Sequence, residues 1–193
     1  MVFLRSPFAP DLPPVLRNGE VELRVPEMAN YRAWAALRLE SRRFLVPWEP
    51  TWPPDDLTRS AFRSRVKRYV RDIENDEAYP FFIFRKGDGS LIGALTLSNV
   101  RRGVAQMASL GYWIGLPHIR QGYMAAAVEA VTPFAFEHLR LHRLEAACLP
   151  SNDASIALLR KCGFAEEGLA RRYLKINGRW EDHLLFGLLA ERA

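Results

Sequence analysis

The segment from residue 106 to 149 constrains the fold more than any other in this 193-residue chain. A strand-like run, "QMASLGYWIGL" (106–116), stops at Pro117. A single glycine, Gly122, then opens the small-residue helical run "YMAAAVEAV", with Pro133 expected to kink the helix before it ends near Leu139. "HRLEAACL" (142–149) is a second strand, and with a helix in between the chain must cross over to lay it beside its neighbour. Strand, tight turn and helix in this order leave several backbone N–H groups free at a helix N-terminus, a place where anions bind. The turn carries neither the G-x-G-x-x-G of a dinucleotide fold nor the G-x-x-x-x-G-K-[ST] of a P-loop, so a phosphate here is held in another way.

Hairpins flank this unit. "YPFFIFR" and "LIGALTLSNV" are strands joined by the "KGDGS" turn, a hairpin over 79–100. "LARRYLKI" and "RWEDHLLFGLL" form another about Asn177-Gly178, the strongest short-range hairpin signal in the chain. Upstream, "VELRV" (21–25) alternates as a strand, and 27–40 is helical, with Tyr31, Trp34, Ala35, Leu37 and Arg38 following one another around it. Prolines break "FLVPWEPTWPPDDLT", whose Trp48 and Trp52 either line a binding mouth or cover the core. A second helix over about 56–75 starts at an Asp55/Asp56 cap with Phe62, Val66, Tyr69, Val70 and Ile73 inward. "SNDASIALLRKCGF" is a short capped helix ended by Gly163. Residues 1–19, with Pro7, Pro10, Pro13 and Pro14, read as an arm without regular structure. The order β-α-α-β-β-β-α-β-α-β-β gives an α/β sandwich, a mixed sheet with helices on both faces rather than a doubly wound one.

The length suits one domain that buries a core without disulfides, and 49% hydrophobic with 25% charged residues is ordinary for a soluble globular protein. The strongest apolar run, "HLLFGLLA", is too short to span a membrane, and the proline-broken N-terminus has no secretory h-region, so a cytoplasmic location is expected. Cys148 and Cys162 have no metal spacing and are expected as small apolar residues in packed structure; no metal is implied. A net charge of +5 suits an acidic ligand such as a phosphorylated cofactor. The basic residues are interspersed with acids and read as solvated faces, and without a zinc-finger or RNP-type motif direct nucleic-acid binding is not expected.

The segments "LGYWIG", "RQGYMAAA", "LHRLEAACLPSNDASIALLRKCGF" and "GLARRYLKINGRWEDHLLF" resemble the GNAT superfamily of acyl-CoA-dependent N-acyltransferases. With "FLVPWEPTW" and "NVRRGVAQMASLGYWIG", they look most like its ribosomal-protein-alanine N-acetyltransferase branch, and the likeness covers about 20–189. The resemblance implies a GNAT-type mixed, mostly antiparallel sheet with a central splay and helices on both faces, spanning 20–193 after the 1–19 arm. It implies acetyl-CoA as co-substrate, with its pantetheine arm in the gap between the 106–116 and 142–149 strands. Trp113 and Ile114 then offer main-chain contacts, and Arg120, Gln121, Gly122, Tyr123, Met124 and Ala125 cradle the pyrophosphate. Asn152 reaches the pantetheine amide, or caps its helix; Ser155 lies near the thioester sulfur; Lys161, with Arg160, meets the 3′-phosphate. Arg120 stands where the superfamily has an earlier glycine, and it is expected to divert the loop, because arginine does not readily take positive φ.

Other GNAT enzymes place a tyrosine acid where this chain has Leu159, which leaves Ser155 as first candidate for the acid and Tyr173 as second. The glutamate base often supplied by the strand before the turn is missing from "MASLGYW"; Glu49 is the candidate, with Asp182 and His183 behind it. Trp48, Glu49 and Trp52 are the candidate acceptor-binding residues. The implied reaction is acetyl transfer to a primary amine by direct attack on the thioester, at the N-terminal α-amino group of a protein, with a ribosomal protein as candidate partner. A small amine such as an aminoglycoside or polyamine is the alternative acceptor, and a non-catalytic acyl-CoA-binding or RNA-associated module is a third reading. Acyl chain length and monomer against homodimer stay open.

Overall fold

The two hairpins expected from the sequence are the wings of one continuous sheet. The structure is a computed structural model that describes residues 12–190. Its strands are β1 (Leu16–Asn18), β2 (Val21–Arg24), β3 (Tyr79–Arg85), β4 (Leu91–Arg101), β5 (Met107–Ile114), β6 (Arg143–Cys148), β7 (Ala165–Ile176) and β8 (Arg179–Leu189). They lie in the order β1-β2-β3-β4-β5-β6-β8-β7. Every neighbouring pair is antiparallel except β5–β6, the pair joined through the helical crossover. This is the mixed, mostly antiparallel sheet that the resemblance implies.

Both faces of the sheet centre are covered, and the sequence of β3 reflects it. Phe81 and Ile83 point to one face, Phe82 and Phe84 to the other, so a strand buried on both sides reads as an unbroken apolar run. On the first face lie α4 (Tyr123–Pro133) and α5 (Asp153–Lys161), with Val128, Val131 and Leu159 against Leu23, Leu95 and Leu144. On the second lie α1 (Tyr31–Glu40) and α3 (Arg59–Glu74). There Phe62 sits 4.8 Å from the Trp34 ring and 6.2 Å from Phe82, centroid to centroid. Such aromatic contacts add specific geometry to the area they bury.

Several local expectations are corrected. Leu16–Asn18, part of the expected arm, is an edge strand paired with Val21–Leu23; Pro7 and Pro10 lie outside the described residues. The cap of α3 is Thr58, whose hydroxyl accepts from Ala61 N–H at 3.2 Å. Asp56 instead is buried against Arg65. The proline-rich segment after α1 is not wholly irregular, since α2 (Arg42–Leu45) and a 3-10 turn (Val46–Trp48) precede Glu49. Pro133 acts where expected: lacking an N–H, it ends the α-helical register, and the chain continues as a π turn over Phe134–His138 closed by Leu139 N–H to Phe134 C=O. At Asn177-Gly178, φ values of +44° and +84° form the tight turn that this dipeptide favours.

Gly93 on β4 faces Ile114 across the β4–β5 ladder. A Cβ there would come 2.5 Å from the Trp113 carbonyl oxygen and 3.2 Å from Ile114 Cα. Gly93→Ala is therefore expected to cost about 2 kcal/mol by overpacking against backbone. Urea unfolding checks it, and an unchanged midpoint would mean that β5 yields without penalty.

Candidate active site

Strands β5 and β6 pair only at Met107–Arg143, Ala108–Leu144 and Ser109–Glu145. Beyond those pairs each strand keeps its outer neighbour, β4 or β8, while the two diverge. The gap between them is edged by backbone. Gly115 N–H bonds the Ile92 carbonyl at 2.9 Å, so by antiparallel alternation the polar groups of Trp113 face β4 and those of Tyr112 and Ile114 face the gap. This supports Ile114 as a main-chain contact and corrects the reading for Trp113, whose N–H and C=O are committed to Ala94. Trp113 contributes its indole instead, packed with the cluster on the α1 face.

The turn after β5 is built to leave N–H groups uncovered. Gly122 has φ +80°, and no side chain caps α4. The first backbone bond of the helix is Ala126 N–H to Gly122 C=O, which leaves the N–H groups of Tyr123, Met124 and Ala125 at the open helix end. A Cβ at Gly122 would meet nothing within 4 Å, so the glycine serves conformation and approach rather than packing. Arg120 does not divert the loop: it adopts left-handed backbone itself, at φ +58°. That conformation costs a non-glycine residue roughly 1–2 kcal/mol. The neighbours hold it in place. Gln121 Nε2 donates to Pro117 C=O at 3.0 Å, and buried Ser41, after α1, accepts from Leu116 N–H at 2.9 Å. His118, in the same turn, is held below the usual histidine range by burial and by the nearby Arg85 charge.

On the α5 side, Asn152 Oδ1 accepts from Ser155 N–H at 3.1 Å and caps the helix. Ser155 Oγ lies 2.7 Å from Tyr112 Oη. Burial holds the Tyr112 phenol well above its usual pKa, with the Ser155 hydrogen bond opposing it, so the phenol stays protonated across the physiological range. Tyr112 is a site residue that sequence reasoning missed; the available signal was strand alternation, which turns it toward the face covered by α5. Cys148, at the end of β6, is buried, and its thiol is pushed up by burial. Tyr173, the second acid candidate, is half-exposed on β7, its ring edge-on to buried His183 at 5.9 Å. Lys161 is the exposed last residue of α5, while Arg160 pairs with Glu166 at 2.8 Å.

On the opposite face Arg38 is the organising group. Its guanidinium is buried, 3.9 Å from the Trp52 ring and 4.9 Å from that of Trp113. Two 2.7 Å bonds join it to both oxygens of Glu49, and Trp52 Nε1 donates to Glu49 Oε2 at 2.7 Å. The Glu49 carbonyl accepts from Asn177 N–H at 2.9 Å, tying the loop to the β7–β8 turn. Glu49 is thus clamped rather than free, Trp52 covers Arg38, and Trp48 is half-buried in the 3-10 turn. Asp182 accepts from Arg172 N–H at 2.8 Å in a bulge of β7, and His183 Nδ1 donates to the Glu181 carbonyl at 3.0 Å. Beside the clamp opens a cleft of about 380 Å³ lined by Pro47, Leu149, Ile176, Asn177, Arg179 and Glu181.

A splayed parallel pair beside an uncapped, glycine-led helix start is what the resemblance implies, and the family comparison agrees. Residues 20–165 match the family model described as "Acetyltransferase (GNAT) domain". The chain belongs to the GNAT acetyltransferases. It is 37% identical over 175 residues to the probable N-acetyltransferase YjcK of Bacillus subtilis (strain 168), covering 91% of this chain and 97% of that one. The [Ribosomal protein uS5]-alanine N-acetyltransferase of Escherichia coli (strain K12) is 34% identical over 149 residues, 77% of each chain. Among solved structures, Mycobacterium smegmatis RimJ in complex with CoA-disulfide superposes with a TM-score of 0.87 at 35% identity, over 94% of this chain and 88% of that one. This GNAT chain is therefore an N-acetyltransferase that uses acetyl-CoA, and the uncovered turn and unpaired strand edge fit a pyrophosphate and an extended amide-bearing arm. Among the described residues no helix is long and apolar enough to cross a membrane.

Glu49→Ala would leave the Arg38 charge between two indoles without a counter-ion. Removing one partner of a buried pair is expected to cost about 3 kcal/mol in urea unfolding. A loss below about 1 kcal/mol would mean that solvent screens Arg38 as it does an ordinary surface charge.

Proposed function

We propose that this GNAT enzyme acetylates the N-terminal α-amino group of a protein, with a small-residue N-terminus of a ribosomal protein as the acceptor class, in the cytoplasm. The observation that carries the reading is the cleft beside the Arg38 clamp: apolar walls from Pro47, Leu149 and Ile176, an arginine, and a single carboxylate. A polyamine or aminoglycoside presents several cations and calls for several acids; one carboxylate beside Arg179 suits one amine at the end of a peptide. The likeness to a uS5-alanine acetyltransferase supports the same acceptor class.

Acetyl-CoA supplies an acetyl group already activated as a thioester. Tyr123, Met124 and Ala125 N–H groups, with Gly122 and Arg120 shaping their loop and Gln121 bracing it, hold the pyrophosphate at the positive end of α4. Ile114 presents its gap-facing N–H to the carbonyl oxygen, where charge develops as the amine attacks. Asn152 keeps its amide nitrogen for the pantetheine while its oxygen caps α5. We assign the proton of the Tyr112–Ser155 contact to the phenol, so that Ser155 keeps its own for the departing thiolate, a short relay that replaces the tyrosine missing at Leu159. An α-amino group has a pKa near ~7.7–8.0, so much of the acceptor is already neutral at cytosolic pH.

Thiol release from acetyl-CoA tests the reading against peptides with different N-terminal residues, spermidine and aminoglycosides. Turnover is expected on Ala- and Ser-starting peptides and not on the polycations; the reverse pattern would move the acceptor to small amines. Ser155→Ala should lower kcat roughly 100-fold, within the range of a lost general acid, with acetyl-CoA binding by calorimetry unchanged. Tyr112→Phe should fall between that variant and wild type. Wild-type kcat in Ser155→Ala would remove the relay from the mechanism.

A further inference from the structure

We infer that Glu181 is the group that takes the proton from the acceptor amine. The inference rests on the proposed acetylation of an amine and assigns that reaction a base, the role for which the strand before the turn supplies no acid. Carboxylates around the acceptor side are otherwise engaged. Glu49 holds Arg38 and Trp52, and Glu145 and Glu167 hold Arg143, while Asp182 accepts from the Arg172 N–H and by alternation belongs to the other face. Glu181 is half-buried, lines the cleft, and pairs with no cation among the described residues.

Strand alternation sets its direction. Leu184 and Phe186 of β8 pack into the core under α4 and α5, so Glu181 and His183 project to the other face, that of Arg38 and Pro47. The Glu181 backbone is held by the His183 Nδ1–H bond to its carbonyl, and the cross-strand partner Leu174 brings no competing charge. Leu149, one residue beyond β6, lines the same cleft, so the space in front of Glu181 abuts the end of one of the two strands that edge the gap. Ser155 and Tyr112 stand on the opposite face.

The step balances without a further reagent. The neutral amine nitrogen bonds the acetyl carbon and the carbon–sulfur bond breaks, with its electron pair leaving on sulfur as a thiolate that Ser155 hydrogen-bonds. Once bonded, the nitrogen is far more acidic than the free ammonium, and its proton passes to the Glu181 carboxylate, directly or through one water, and then to solvent. The thiolate takes its proton through Ser155 and Tyr112, and solvent restores that proton to the relay. A carboxylate of ordinary basicity suffices, because the proton is accepted after attack rather than from the resting ammonium.

The test compares wild type with Glu181→Gln and Glu181→Asp, on the Ala-starting peptide and on whichever other amine the wild type accepts. Glu181→Gln should lose at least 100-fold in kcat with little change in the KM of either substrate, and Glu181→Asp should recover part of it. Rescue by the aspartate variant, with urea midpoints of both variants matching wild type, separates chemistry from folding. Calorimetric acetyl-CoA binding should match wild type in both. A Glu181→Gln enzyme with wild-type kcat, or one that loses only KM, overturns the assignment while leaving the acetyltransferase reading intact. Wild type active only on small amines would instead overturn the protein-acceptor reading, and the same variants would then decide Glu181 on that amine. A wild type silent on every amine overturns both.

Discussion

A parallel strand pair that ends after three residue pairs is the constraint on which the rest of the site depends. Backbone N–H and C=O groups that leave a ladder must find partners elsewhere, and each left without one in a buried place costs about 1–3 kcal/mol. The sheet accepts this at its centre, not at an edge, because β4 and β8 continue to hold the outer sides of β5 and β6. The gap therefore stays open without unravelling the sheet. It presents a ready strand edge to any extended group that carries amides, and the crossover helix starts at its mouth with N–H groups uncovered. One topological choice supplies both halves of a site for a long phosphorylated thioester.

Keeping such a gap at a fixed width requires bracing from both faces. On one face α5 does it through Ser155 and Tyr112, a contact made of polar atoms at the level of the gap. On the other the brace is Arg38, whose stacked guanidinium links Trp113 of β5 to Trp52 and Glu49 of the loop, and through the Glu49 carbonyl to Asn177. Arg38 is nearly enclosed, and its Nε has no partner among the described residues. An arginine spent this way does little for net stability compared with an apolar residue of the same volume. Its planar fork and two flat faces fix the position of three groups at once, which no aliphatic side chain does. Arg38 makes most sense as the part that sets where the acceptor wall stands.

What was legible in the sequence was local. The Asn177-Gly178 turn, the 79–100 hairpin, the Asn152 cap and the Pro133 break each depend on residues a few positions apart, whose conformational preferences act in the unfolded chain as they do in the folded one. The misses are contacts between distant segments or competitions among near neighbours. Nothing local ties Tyr112 to Ser155, and the pairing of Arg38 with Glu49 needs the chain to fold back through α2 first. Asp55 and Asp56 look like caps, yet Thr58 won because Asp56 was drawn under Arg65. Leu16–Asn18 became a strand because β2 offered an edge, although its own residues carry little strand preference. At Arg120 a general rule about side chains and positive φ yielded to a loop pinned at Ser41 and Gln121. Strain of that kind persists only where the surroundings over-determine it, and here it sits at the turn proposed to hold the pyrophosphate.

The chemistry then follows from the pleat of a single strand. Successive side chains of β5 point to opposite faces, so Tyr112 turns toward α5 and Ser155 while Trp113 turns toward α1 and Arg38. Between those directions, in the plane of the sheet, the backbone of Ile114 faces the gap. In the proposed mechanism the partner of Ser155, the support of the acceptor wall and the donor for the developing oxyanion thus come from three consecutive residues. No flexible joint separates them, and their relative placement is set by strand geometry. In the proposed reaction the amine enters from the Arg38 face and the thiolate is received on the Ser155 face, so neither path blocks the other. A loop-borne site would have to order itself at each turnover; this one is ordered as soon as β5 has paired with β4.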